Sequence, residues 1–382
     1  MLPRVTSYKE VMIMVLDRRD TELLRLAGKY RWLPYKGINK YGFDDIEDEI
    51  GKLASLGLLG ISRDREYLRL CAEGYAVLRS AGYNYSPGSK RAFAGSPALR
   101  RRLQTADIML TCLRAGIDTL QVDASALRNQ LVFYPAFDIR PAMMNCTSCS
   151  AFGHWGDTIY MIQCVNPQSQ GMYRVNEMAV FHNLAGVYGS GYEEPEAMLF
   201  AGDSYASVYK QLTNSTPSAR HGIRGFVDFR EVYKKSNIPI HIVACNENGA
   251  RQLAVMCQPD YRAKIAKAAY GQLWKKRDEK ILAADGCVDG APLVIAVDMD
   301  IRRIQTVVNA AKALGRPAVK VAAFEEQILE VLCRLYPNGT PGNIVSLLKI
   351  EDAVLDAAFG GILLYNMDRS PAYSDKGGAL FA

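Results

Sequence analysis

Residues 20–82 constrain the fold of this chain more than any other stretch. Leu23, Leu26, Ala27 and Tyr30 recur at i, i+3, i+4, i+7 in DTELLRLAGKY and predict a first amphipathic helix. Ile46, Ile50, Leu53 and Ala54 repeat that pattern in FDDIEDEIGKLASLG, with Gly57 placed to end the helix. LLGIS and EYLRL then read as two short strands of a hairpin around Arg63-Asp64, and AEGYAVLRSAGY predicts a third helix.

Helix, loop, helix, hairpin, helix is the order of a winged helix, which is predicted over residues 1–83. Winged helices bind DNA in most of their uses, yet the second helix here opens with Asp44, Asp45, Glu47 and Asp48. Carboxylates at that end repel phosphate and accept only from bases such as cytosine N4. They also suit a helix N-terminus, where Asp44 and Glu47 have capping-box spacing. Any DNA contact is therefore expected from the wing arginines Arg63, Arg65 and Arg69 and from the basic stretch C-terminal to the module. The acidic helix at 43–56 can equally serve as a protein-binding face.

Residues 84–128 are expected to form a basic linker and a connecting helix. NYSPGSKRAFAGSPALRRR carries Lys90, Arg91, Arg100, Arg101 and Arg102 with no acidic residue, and its Pro, Gly and Ser mark a linker. From Pro97 the pattern turns helical, with Leu99, Leu103, Ala106, Leu110 and Leu113 near one face. Three arginines at a helix start oppose the helix dipole, which favours an anionic partner for them.

From about Asn129 the period changes. LVFYPAFDI and TIYMIQCV are β-rich, the first part of MYRVNEMAVFHNLAGVYG extends a hairpin and its later part is helical, and AMMNCTSCSAFGHWG reads as a loop. Strand–helix units come next at AMLFAG with DSYASVYKQL, IPIHIVAC with NENGARQLAVMC, PLVIAVDMD with IRRIQTVVNAAKALG, and PAVKVAAF with EEQILEVLCRLY. Buried strands that each lead into a helix predict an α/β class with parallel pairing, α+β when the first module is counted. A long polar helix (YRAKIAKAAYGQLWKKRDEKILA), a last helical segment (NIVSLLKIEDAVLDAAFGG) and a loosely held tail complete the reading. The expected division is an α/β domain at 129–290 and a C-terminal α/β extension at 291–382.

Bulk properties narrow the setting. A chain of 382 residues can build two or three domains. Its net charge of +6 is mild, so nucleic-acid contact must come from local patches. Nine scattered cysteines read as reduced thiols of a cytoplasmic protein. The N-terminal run VMIMVL is too short and too closely flanked by charge for a signal peptide or a span, so no membrane partner is expected.

The module, its basic linker and the helix ALRRRLQTADIMLTCLRAG together resemble the replication-relaxation family. These are winged-helix proteins encoded by bacterial plasmids and integrative conjugative elements. The resemblance implies a second domain with a restriction-endonuclease-like core, in which an RPDA-like turn and an acidic LEVD-like strand end hold a metal. Here the turn is Ile139-Arg140-Pro141-Ala142, and the strand ends Ile162-Gln163-Cys164-Val165-Asn166. Ala142, Gln163 and Asn166 stand where carboxylates are expected, and hard Mg²⁺ needs oxygen ligands that carry charge. Asp138, Asp157 and Glu177 are the nearby acids that could substitute.

Other motifs are incomplete. Cys146 and Cys149 form a CxxC with only His154 near, short of the four ligands of a zinc site, so no metal is expected. Gly202-Asp203-Ser204 lacks a histidine in an esterase context, and Asp203 or Ser204 is expected to cap the next helix. His241 lies in an apolar strand and reads as a satisfied core residue. Asp298-Met-Asp300 is followed by Arg302 where a phosphoryl-transfer loop needs a small hydroxyl residue, leaving a strand-end cap. No P-loop or GxGxxG follows a strand. These residues, with the mobile-element setting that the resemblance implies, lead to the expectation of a non-enzymatic DNA-binding or scaffold protein of a mobile element, acting in its replication, mobilisation or control, without a cofactor. Its alternatives are a Mg²⁺-dependent endonuclease with displaced acids, or a protein–protein adaptor.

Overall fold

The computed structural model describes residues 16–43, 46–85, 97–120, 127–139, 150–165, 172–192, 194–213 and 226–372. The chain divides into two compact units. One runs to Leu120 and resumes at Leu363, and the other spans Gln121–Ile362. The sequence-based boundaries at 128 and 290 do not coincide with these ends, because residues 291–362 share a unit with the strands before them. The architecture is α/β, as the strand–helix alternation predicts.

In the first unit, helix α1 (Arg18–Tyr30) starts on a reciprocal cap. Asp17 accepts from the Asp20 backbone at 2.8 Å, and Asp20 accepts from the Asp17 backbone at 3.1 Å. Leu23, Leu26, Ala27 and Tyr30 are buried, as their spacing requires. Helix α2 (Ile46–Ser55) buries Ile46, Ile50 and Leu53. Gly57 then takes φ +70°, which allows Leu58 N–H to reach the Leu53 carbonyl at 3.0 Å. Strands β1 (Leu33–Pro34), β2 (Leu59–Ile61) and β3 (Tyr67–Leu70) form an antiparallel sheet in the order β1-β3-β2, with Gly60 opposite Arg69. Helix α3 (Ala72–Ser80) follows.

Helix α4 (Pro97–Arg114), expected as a connector, is buried on almost every side over 105–114. It packs on β1 and on β16 (Leu364–Tyr365), so it is a core element of this unit. The described part of the tail, 366–372, is held to this unit. β16 pairs with β17 (Pro371–Ala372), Arg369 bridges to Asp118, and Arg114 Nη1 donates to the Tyr365 carbonyl at 3.3 Å.

The second unit carries two five-stranded sheets. The first has the order β10-β8-β6-β5-β4, built from β4 (Val132–Pro135), β5 (Ala151–Trp155), β6 (Thr158–Cys164), β8 (Glu196–Gly202) and β10 (Ile240–Ala244). β4, β5 and β6 are antiparallel, whereas β8 and β10 run parallel to β6. The second sheet has the order β11-β12-β13-β14-β15, from Trp274–Lys275, Cys287–Val288, Ala291–Ile295, Val319–Ala323 and Val345–Lys349, with β13, β14 and β15 parallel. A backbone hydrogen bond from Ile242 N to Asp298 O, 3.1 Å, links the two sheets. Short helix α5 (Ala136–Ile139) continues from β4. One face of the first sheet is covered by apolar residues of helices α6 (Val175–Tyr188), α7 (Tyr205–Thr213) and α8 (Phe229–Lys235). α9 (Glu247–Met256), α10 (Tyr261–Tyr270), α11 (Ile301–Ala313), α12 over 325–335 with a π-turn at Ile328–Leu332, and α13 (Asp352–Phe359) complete the unit.

Several local expectations are corrected. AFGHW is a central strand rather than loop, and the end of the LVFYPAFDI run is helix α5. Met172–Arg174, β7, pairs with Phe226–Asp228, β9, instead of extending a hairpin from β6. The long polar helix stops at Tyr270, where Gly271 takes φ +53°, and gives way to β11. VSLLK is strand β15, leaving only Asp352–Phe359 as the last helix. Among the described residues, no helix is long and apolar enough to cross a membrane.

Candidate nucleic-acid interface

The hairpin of the first unit ends in a turn ordered by its own side chains. Ser62 Oγ donates to Asp64 Oδ1 at 2.6 Å and accepts from Glu66 N–H at 2.9 Å, while Arg65 takes φ +53°. These bonds to Ser62 and to the backbone hold the Asp64 carboxyl below its usual range, so it stays ionised. Arg63, Arg65 and Arg69 are all exposed, and none makes an ion pair among the described residues. The tip therefore offers two free guanidiniums and β3 a third, partly offset by exposed Asp64 and Glu66.

Helix α2 presents the opposite sign. Glu47 and Asp48 are exposed, Glu49 is drawn inward by Arg19 at 2.6 Å, and Lys52 is tied to Asp20. No free cation remains on that helix among the described residues. At the start of α4, Arg100 and Arg101 are exposed and make no ion pair among the described residues, while Arg102 is half-buried and engaged. Lys90, Arg91, Asp44 and Asp45 lie outside the described residues.

The acids named for the nuclease alternative do not gather. Asp157 is exposed in the turn before β6, at φ +62°, and accepts from Gln130 at 2.7 Å. Gln163 lies six residues on, about 20 Å along an extended strand. Gln163 is 1% exposed, and its amide nitrogen meets no acceptor among the described residues. Glu177 is fully buried in the first turn of α6. Asp138 lies in α5, with its side chain outside the described set, as are Arg140, Pro141, Ala142, Asn166 and the Cys146/Cys149 pair. No three His, Cys, Asp or Glu side chains converge as a metal site among the described residues.

The most concentrated charge in the second unit was not foreseen from sequence. Asp298, fully buried just beyond β13, accepts at Oδ2 from Arg262 Nη2 (2.6 Å), Tyr261 Oη (2.9 Å) and Arg303 Nη2 (3.3 Å). Its Oδ1 accepts from Asp300 N at 3.0 Å. Burial alone would raise this carboxyl, but Arg303 and Arg262 outweigh it and hold it far below the ordinary range. Arg303 also donates to Asp285 Oδ2 at 2.7 Å. Arg262 also pairs with Glu194 at 3.4 Å, so the two arginines face three carboxylates and neither guanidinium is left free for an anionic substrate. The network clamps α10 and α11 to the strand end.

Beside it, His241 is 3% exposed, 5.7 Å from the Tyr160 ring, and neither imidazole nitrogen has a hydrogen-bond partner among the described residues. It is a core residue, as its apolar strand predicts, but not a satisfied one. The two remaining motifs are caps. Ser204 Oγ accepts from Ser207 N–H at 3.1 Å, and Asp300 Oδ1 accepts from Arg303 N–H at 3.0 Å. Comparison with known proteins adds no relative, since no protein-family model, curated protein or solved structure matches the chain.

Proposed function

We propose that this chain is a non-enzymatic DNA-binding or scaffold protein of a mobile genetic element, built on an N-terminal winged helix. The observation that carries the reading is the distribution of free charge in the first unit. Among the described residues, five exposed arginines without an ion pair stand on the hairpin (Arg63, Arg65, Arg69) and at the start of α4 (Arg100, Arg101), with Arg18 and Arg79 elsewhere in the unit, whereas the exposed face of α2 is acidic. Contact is then made to the phosphate backbone from the wing and the basic helix start, and α2 stays out of the major groove. The three-helix, three-strand order supports the winged-helix reading. The resemblance to the replication-relaxation family supports the mobile-element setting.

The antiparallel β4-β5-β6 meander, the crossover helix α6 and the parallel strand β8 support a nuclease-like scaffold in the second unit. The separation of Asp157 from the end of β6 and the neutral Gln163 argue against a metal centre there. A titration of the intact chain with duplex DNA tests the proposal. Binding at low salt that weakens steeply with added salt, with no strand cleavage in Mg²⁺ or Mn²⁺, is expected. Absence of binding at low salt sinks the proposal. Metal-dependent nicking abolished by Asp138→Ala establishes the endonuclease alternative instead.

A further inference from the structure

The stretch 264–280 of the second unit, read from sequence as a polar helix, folds into two elements. Helix α10 buries Ile265 and Ala266 and turns Lys264 and Lys267, one turn apart, to solvent. Beyond Gly271, the short edge strand β11 and its continuation expose Lys275, Lys276, Arg277 and Lys280. The helix packs against the strand, which brings the two sets onto neighbouring elements. None of these six cations makes an ion pair among the described residues; Lys264 has only the Phe359 ring, 6.0 Å away.

Local acids do not balance them. Asp278 is buried and turned toward Arg316 at 3.7 Å, and Asp289 pairs with Lys320 at 3.5 Å. Glu279 and Asp260 are the exposed acids that remain within the stretch or just before it. The platform is fixed. Trp274 Nε1 donates to the Asp285 carbonyl at 3.0 Å, and Gly286, at φ +132°, lies so close that a Cβ would fall 2.3 Å from that nitrogen.

Uncompensated cations on a rigid edge leave a polyanion as the fitting partner. An anionic membrane is the poorer fit, because interfacial helices need a continuous apolar face. The apolar side of α10 is already in the core, and Leu273 and Leu282 are isolated exposures. We propose that 264–280 is a second surface for the phosphate backbone of duplex DNA, resting on the proposed DNA-binding function but separate from the wing and the α4 start.

The test is the salt dependence of duplex binding by the intact chain, read by fluorescence anisotropy between about 50 and 200 mM salt. Each lost phosphate contact should lower the slope of log K against log[salt] by about 0.9. The variant Lys275→Ala/Lys276→Ala/Arg277→Ala is expected to reduce the slope by about 2 to 3, and Lys264→Ala/Lys267→Ala by about 2. Both variants alter exposed side chains only, and an unchanged melting temperature verifies folding. A parental slope in both variants, while Arg100→Ala/Arg101→Ala lowers it, overturns this surface and leaves the function standing. No binding by the parent at low salt overturns both. Retention on phosphatidylserine vesicles that is lost in the triple variant, without change in DNA binding, gives the surface to a membrane and overturns the proposal.

Discussion

Asp298, itself closed to solvent, exchanges its hydration for two guanidiniums, a phenol and a backbone N–H. Breaking such a buried network by removing one charge leaves the partner charges unpaired. Asp298→Asn should therefore destabilise the second unit by about 3–5 kcal/mol, seen as a lower urea midpoint. A midpoint equal to the parent's would mean that the arginines re-pair elsewhere. Gly249 is constrained by space instead of charge. Asn246 Oδ1 caps its N–H at 3.0 Å, and an added Cβ would sit 1.7 Å from the Ala244 carbonyl oxygen. Neither backbone can yield, so Gly249→Ala should cost about 2 kcal/mol or more despite the better helix propensity of alanine. A gain in stability there would contradict the close approach of α9 to β10.

Among elements, α2 carries the sharpest functional contrast. Its exposed Glu47 and Asp48 should repel a nearby phosphate backbone, so Glu47→Gln/Asp48→Asn is expected to raise duplex affinity several-fold at low salt and less at high salt. Unchanged DNA affinity would place α2 away from the duplex and favour its use as a protein-binding face. The same helix shows what sequence can convey. Ile46, Ile50 and Leu53 mark its buried face by spacing alone, and Gly57 marks its end. β5 was hidden because Gly153 interrupts its pattern, its missing Cβ being what admits the Trp155 ring at a would-be 2.1 Å. β15 was hidden because VSLLKIEDAVL carries apolar residues at helical spacing, and only pairing with β14 makes it a strand. The Asp298 network depends on Arg262, 36 positions earlier, and that non-local pairing leaves no local signature. The β2-β3 hairpin was legible because its turn is local.

For the whole molecule, acid should act in two stages. Burial pushes the His241 imidazole down, opposed by Asp298 and Asp300, helped by Arg262 and opposed again by Glu194. Burial also lowers His154, against its 2.7 Å contact to the Leu127 carbonyl. Both folded values lie below the unfolded value of about 6.5, so the unfolded chain takes up protons first and stability falls as pH drops below about 6.5. The Asp298 contribution, present above about 3.9, is lost only on further acidification toward its depressed folded value. Urea midpoints should therefore fall between about pH 7.5 and 5.5, and flat midpoints across that window would contradict neutral buried imidazoles.

Whether this chain holds DNA through its wing and basic helix start is most directly read from one quantity, the slope of log K against log[salt] for duplex DNA. It should be compared between the intact chain and the Arg100→Ala/Arg101→Ala variant. Both arginines are exposed, so the fold should be untouched. The expected result is a steep negative slope for the parent, made shallower by about 2 in the variant. A shallow parental slope, or tight binding with the same slope in both proteins, would contradict it.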